Sequence, residues 1–106
     1  MKRGEVWWVE FGPGVGGEMA KRRPAVIVSN DISNRLLNRI QVVPVTSNVT
    51  RIYPGESPIV VADKRGKAMA NQLATVSKRR VGNQLARLSP DEMAGVEKAI
   101  KVQLGL

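Results

Sequence analysis

A chain of 106 residues gives room for one small domain spanning residues 1–106. It has neither cysteine nor histidine, which excludes disulfides, thiolate or imidazole metal sites, and every catalytic scheme that needs Cys or His. The net charge of +8 favours a polyanionic partner, either a nucleic acid or an acidic protein.

Taken in chain order, Glu5-Val6-Trp7-Trp8-Val9-Glu10-Phe11 is rich in β-formers and reads as a strand. Trp7 and Trp8 are strand neighbours and should point to opposite faces, one into the core and one outward or into an interface. Glu5 and Glu10 bracket this apolar stretch, so it lacks a signal peptide's uninterrupted core. No run approaches the roughly 20 apolar residues that span a bilayer. The expectation is a cytoplasmic protein with no membrane association. Residues 12–17 hold four glycines and a proline and form a loop. They lack the spacing of a phosphate-binding loop, and Glu18 follows at once.

Pro24 to Ser29 reads as a buried strand, and Asn30-Asp31 as the cap of a short helix running to Leu36-Leu37. Ile40 to Thr46 is a further strand, which Pro44 pushes toward an edge or a bulge. Ser47 to Gly55 is a polar loop. Pro58 opens the strand Ile59-Val60-Val61. Asp63 to Lys67 carries a turn signal, with short strands at Ala68–Gln72 and Ala74–Ser77. A helical turn at Lys78-Arg79-Arg80 leads into a strand over Val81–Leu88. Ser89-Pro90-Asp91-Glu92 is a helix start with a capping box. Met93, Val96, Ile100 and Leu104 then recur at helical spacing. The sum is a strongly bent small sheet or barrel closed by a C-terminal helix.

From Lys64 to Arg87 there are seven basic residues and no acidic one, the pattern of an electrostatic binding face rather than a merely solvated one. Without Cys or His, chemistry falls to Glu, Asp, Arg, Lys, Ser, Thr or Tyr. Arg22-Arg23-Pro24-Ala25-Val26, Glu18 upstream and Pro44-Val45-Thr46-Ser47 downstream set a guanidinium, a carboxylate and a hydroxyl at the ends of apolar strands. Such a set suits a phosphodiester without a metal. The fork of Arg23 matches phosphate oxygens. Thr46 either donates to a non-bridging oxygen or is an ordinary strand-end threonine. Glu18 is a general base if burial raises its pKa, an ion-pair partner that orients Arg23, or a loop cap.

In order and spacing, the chain resembles the MazF/PemK (Kid) family of toxin endoribonucleases. The phrases are Arg3-Gly4-Glu5-Val6-Trp7, Gly17-Glu18, Arg23-Pro24-Ala25-Val26-Ile27-Val28, Val43-Pro44-Val45-Thr46-Ser47, Tyr53-Pro54, and Asn71-Gln72 before a basic turn. The resemblance implies a mainly β fold of SH3-like (CcdB/MazF-type) barrel with a C-terminal helix, and a homodimer. It also implies cofactor-free, metal-independent cleavage of single-stranded RNA, and a cognate antitoxin whose acidic, flexible tail lies across the toxin. In the family the arginine and threonine matching Arg23 and Thr46 are held to be catalytic. Some members carry Asp or Glu where this chain has Asn71.

The RNA-binding candidates are Ser47, Tyr53, Asn71, Gln72, Lys78, Arg79 and Arg80. Lys78, Arg79 and Arg80 suit the backbone, and amides such as Asn71 and Gln72 read base edges. Tyr53 is either a stacking platform or a loop-packing residue. Two rivals share the basic barrel: a non-catalytic nucleic-acid-binding module, and a topoisomerase poison like the fold relative CcdB.

Overall fold

The computed structural model describes all residues from Met1 to Leu106. Seven strands form one strongly curled antiparallel sheet: β1 (Glu5–Glu10), β2 (Arg22–Ile27), β3 (Arg39–Thr46), β4 (Glu56–Val61), β5 (Lys64–Met69), β6 (Ala74–Ser77) and β7 (Val81–Arg87). Their order is β4-β5-β3-β2-β1-β7, with β6 paired to β3. Helix α1 (Asp31–Leu36) joins β2 to β3, and α2 (Pro90–Leu104) ends the chain. The expected mainly β fold with a terminal helix is therefore present.

Alternation along β2 and β3 sorts their apolar side chains into two cores. Val26, Val43 and Val45 join Val6, Ile59, Val61, Ala68, Leu88 and Val96 beneath α2. Ala25, Ile27, Ile40 and Val42 join Val9 and Val76 on the other face, with Trp7, Phe11 and Val81 packed against them. Both faces of the central strands are thus covered, which is why those strands read as continuous apolar runs.

Pro44 is fully buried in an interior strand, not at an edge. The Gln41 carbonyl accepts the Val28 N–H and the Gln41 N–H donates to Ser29 Oγ, so odd positions of β3 bond toward β2. Pro44 then turns its nitrogen to the other side. There β6 ends at Val42↔Ala74 and β5 begins at Val45↔Ala68. Its missing N–H falls in the gap where β3 changes partner.

The two tryptophans also differ from a simple alternation. Val6 and Val9 are the buried residues of β1, and Trp7 and Trp8 are both only half-buried. The register with β7 slips twice, from Val6↔Ala86 to Trp7↔Gln84 and then to Val9↔Val81. Each slip places an extra residue on β7, and such bulges bend and coil a strand.

The turn expected over Asp63–Lys67 is shorter. Val61 pairs with Lys64, leaving Ala62 and Asp63 as a two-residue hairpin with φ of 48° and 64°. Lys64 to Lys67 belong to β5. The strand expected through Gln72 stops at Met69 and gives way to a 3₁₀ turn over Ala70–Gln72.

Helix α2 begins on the expected capping box. Ser89 Oγ accepts the Glu92 N–H, and Glu92 Oε1 accepts the Ser89 N–H. Glu92 Oε2 also accepts the Val60 N–H at 2.7 Å, tying the helix to β4. Burial opposes the charge of Glu92, but the N–H donors of Ser89 and Val60 outweigh it and hold the carboxyl below its ordinary value. Val96 and Ala99 are buried, while Leu104 at the helix end is exposed.

Candidate active site

Thr46 closes β3 at the mouth of a cleft of about 290 Å³ lined also by Trp8, Pro24, Ser47, Lys64, Arg65 and Leu85. Its Oγ1 accepts the Asn48 N–H at 3.2 Å, leaving the hydroxyl proton free to donate. Gly66 forms the cleft floor against Thr46. A Cβ there would sit 3.0 Å from the Thr46 carbonyl oxygen, so β5 packs closely on β3 and any side chain at this position would push the neighbouring backbone back by a few tenths of an ångström.

Arg23 lies on β2 opposite Val9. The β2–β3 ladder ends at Ala25↔Pro44. Arg23 and Thr46 each lie two residues beyond that last pair, and Arg23 does not line the Thr46 cleft. The Arg23 side chain is exposed and makes neither an ion pair nor a hydrogen bond within the chain. The preceding arginine behaves differently. Arg22 stacks its guanidinium 4.4 Å from the centre of the ring of Trp8, a residue that lines the Thr46 cleft. Lys64 and Arg65 line this cleft beside Thr46, a placement their position in the sequence does not announce. The pairing of Trp8 with Pro24 brings both residues to the same cleft.

Glu18 rides on the glycine-rich loop between β1 and β2. The loop's neck is closed by Phe11 N–H to Lys21 carbonyl and Lys21 N–H to Gly12 carbonyl, both 2.8 Å. Gly12 and Lys21 take left-handed φ values of 74° and 66° there. Glu18 is exposed, its carboxylate accepts the Val15 N–H at 2.9 Å, and it forms no ion pair with Arg23. Of its three sequence-level roles, the loop cap is the one this geometry displays.

A second cleft joins Glu18 to Asn71, Gln72 and Arg80, with Phe11 and Met19 as apolar walls. Both ends of the Gln72 amide are engaged. Its Nε2 donates to the Gly17 carbonyl at 2.8 Å, and its Oε1 accepts the Met19 N–H at 3.1 Å. Arg80 is exposed and donates weakly to the Glu10 carbonyl at 3.3 Å.

The basic run does not form one face. Lys78 donates to the Asn34 carbonyl and lines a separate hollow with Asp31, Arg35 and Arg87. Arg79 is exposed. Lys67 is buried and bonds to Glu56 Oε1 at 2.8 Å and to the Arg51 carbonyl at 2.7 Å. Tyr53 is exposed in the loop after β3, with the Lys67 ammonium 5.4 Å from its ring centre.

This placement of a free arginine and a strand-end threonine invites comparison with known proteins. Residues 2–104 match the family described as PemK-like, MazF-like toxin of type II toxin–antitoxin system. The chain belongs to this family. It is 38% identical over 116 residues to endoribonuclease MazF9 of Mycobacterium tuberculosis, covering all of this chain and 98% of that protein. The fold agrees with a crystal structure of MazF from Deinococcus radiodurans. The TM-score is 0.88 at 30% identity, with 100% of this chain and 97% of the other covered. A mycobacterial endoribonuclease solved in complex with its cognate antitoxin matches with a TM-score of 0.85 at 26% identity, covering 100% and 96% of the two chains. The MazF-type fold implied by the resemblance is thus the fold of this toxin family member.

Proposed function

We propose that this toxin is an endoribonuclease that cuts single-stranded RNA without a metal or cofactor. The observation that carries this reading is the exposed Arg23 side chain, free of any ion pair or hydrogen bond within the chain and two residues beyond the last β2–β3 pair, as Thr46 is on β3, in a chain that matches the toxin family over residues 2–104. RNA supplies its own nucleophile. The 2′-oxygen attacks phosphorus, the P–O5′ bond breaks, and the products are a 2′,3′-cyclic phosphate and a 5′-hydroxyl. Arg23 and Thr46 donate hydrogen bonds to the non-bridging oxygens as charge builds on them. A preorganised donor of this kind contributes about 2.7–4 kcal/mol to a transition state.

The proton leaving the 2′-hydroxyl passes to Glu18 or to water. An arginine holds its own proton to above about pH 12 and is a poor acid, so the departing 5′-oxygen draws its proton from solvent. Asn71, where an acidic residue stands in some relatives, hydrogen-bonds RNA but cannot shuttle a proton. Ser47, Tyr53, Arg79 and Arg80 serve binding.

The partners follow from the same reading. A cognate antitoxin with an acidic, flexible tail fits the excess positive charge, and RNA and tail compete for the site. We place the toxin in the cytoplasm, beside its substrate. No helix is long and apolar enough to cross a membrane. We take the chain to act as one domain in a homodimer. Arg23→Ala and Thr46→Ala test the core of the reading. Each should stay folded and lose cleavage of a labelled RNA by at least about a hundredfold. A folded Arg23→Ala protein that cuts at the normal rate removes it. Intact RNA with the unaltered protein would favour a non-catalytic binding module or a topoisomerase poison instead.

A further inference from the structure

The Gln72 amide, a candidate base reader in the sequence, is spent on the protein itself. It grips the residue before Glu18 and the residue after it, through Gly17 O and Met19 N. These are the only hydrogen bonds that residues 13–20 make to the rest of the chain; the others run within the loop or close its neck. Residues 12–17 carry four glycines, and glycine loses the most freedom on ordering. A loop so composed does not hold a carboxylate in one place unaided.

The anchor is well fixed. Gln72 ends the 3₁₀ turn of Ala70–Gln72, whose Ala70 N–H donates to the Gly55 carbonyl at 2.9 Å. That turn joins β5 to β6, and both are bonded to β3, the strand that ends in Thr46. The amide therefore couples the position of Glu18 to the strand that carries the threonine. Arg80 and Asn71 stand in the same cleft but make no bond to the loop's residues 13–20.

We infer that Gln72 is a positioning residue for Glu18: it locks the glycine-rich loop on both sides of the carboxylate and does not read a base. The inference rests on the proposed role of Glu18 in RNA cleavage. It makes a demand that base reading does not. Loss of the amide should loosen the loop in the absence of any RNA and should slow cutting without changing which sequence is cut.

The test uses Gln72→Ala, Gln72→Glu and Glu18→Ala in the full-length protein. Gln72→Glu keeps the acceptor for Met19 but loses the donor to Gly17. Amide hydrogen exchange at Met19, measured without RNA, should quicken by about tenfold or more in Gln72→Ala, the scale of two lost hydrogen bonds. Exchange in the helix α2 serves as the control for global stability. With RNA, kcat should fall by about tenfold while affinity for an uncleavable 2′-deoxy RNA stays within about threefold and the mapped cut sites stay the same. In the Glu18→Ala background, Gln72→Ala should add no further loss, as expected of residues acting as one unit.

Unchanged Met19 exchange, an additive double variant, or a new base preference at the cut site would each overturn the inference while leaving the endoribonuclease reading in place. A Glu18→Ala protein that cuts at full rate would instead remove the role of Glu18, and this inference with it.

Discussion

Removing the Lys67 ammonium should destabilise the fold severely, although Lys67 stands in a run of basic residues that reads as surface charge. The Lys67 and Glu56 side chains are 9% and 4% exposed and meet at 2.8 Å. Glu56 Oε1 also accepts the Tyr53 N–H at 2.9 Å, and Lys67 also donates to the Arg51 carbonyl. Lys67→Met leaves a buried carboxylate without its counter-ion and strips the Arg51 carbonyl of its donor. Breaking a buried pair on one side costs about 3–5 kcal/mol, against a total of about 5–15 kcal/mol for a domain of this kind. At about 4–8 °C per kcal/mol for this chain length, Tm should drop by more than about 12 °C. Thermal and urea unfolding followed by the fluorescence of Trp7 and Trp8, at one fixed protein concentration, measures it. Lys67→Met with Glu56→Leu should recover much of the loss, because no stranded charge remains. The double variant should still bind RNA weakly, since the loop carrying Tyr53 has lost both anchors. A Lys67→Met protein within about 1 kcal/mol of the parent would show that the pair behaves as an exposed one, and would refute the reasoning.

The two ends of the basic turn should separate in RNA binding. Arg80→Ala should weaken binding and lower the slope of log affinity against log salt by about one. Lys78→Ala should change the slope little, because its ammonium serves the Asn34 carbonyl in another hollow; titrations of a short RNA at several salt concentrations check both. Stability should decline as pH falls below 4.5, the ordinary value of a glutamate. The Arg3 N–H, together with Asn34, holds Asp31 below its ordinary 3.8. Burial opposes the charge of Glu5, but the Lys2 N–H and the Trp7 indole outweigh it. Glu92 is held down at the start of α2. Groups with depressed folded pKa values contribute stability that is full above the unfolded values and is lost as pH falls through the folded ones. Urea midpoints from pH 6 to pH 2.5 should therefore fall below about pH 4.5, and Glu92→Gln should flatten that fall.

Much of the barrel could be read from local signals. The capping box of α2, the Asn30 cap of α1 and the apolar runs of β2 and β3 are each set by neighbours in sequence, so they stand where expected. The departures arise mostly from non-local contacts. Pro44 is tolerated inside the sheet because β3 exchanges β6 for β5 at that point, which no residue near Pro44 announces. The Ala62-Asp63 hairpin lacks glycine, so the turn signal drifted to Gly66, which serves close packing against Thr46 instead. At the site, strand-end placement of Arg23 and Thr46 was legible. The split of the basic run was not, because the buried partner of Lys67 lies eleven residues upstream on the paired strand. The grip of Gln72 on the Glu18 loop spans more than fifty residues of sequence, a contact that only the folded sheet creates.

The most direct test of the account is the fate of one RNA with a single 2′-deoxy residue placed at a mapped cut site, incubated with the toxin in excess EDTA beside the all-ribose strand. The ribose strand should be cut, with a 2′,3′-cyclic phosphate on one product and a 5′-hydroxyl on the other, and the 2′-deoxy strand should survive at that position. Cleavage of the 2′-deoxy strand at the same rate, or loss of all cleavage in EDTA, would contradict 2′-hydroxyl attack assisted by Arg23 and Thr46.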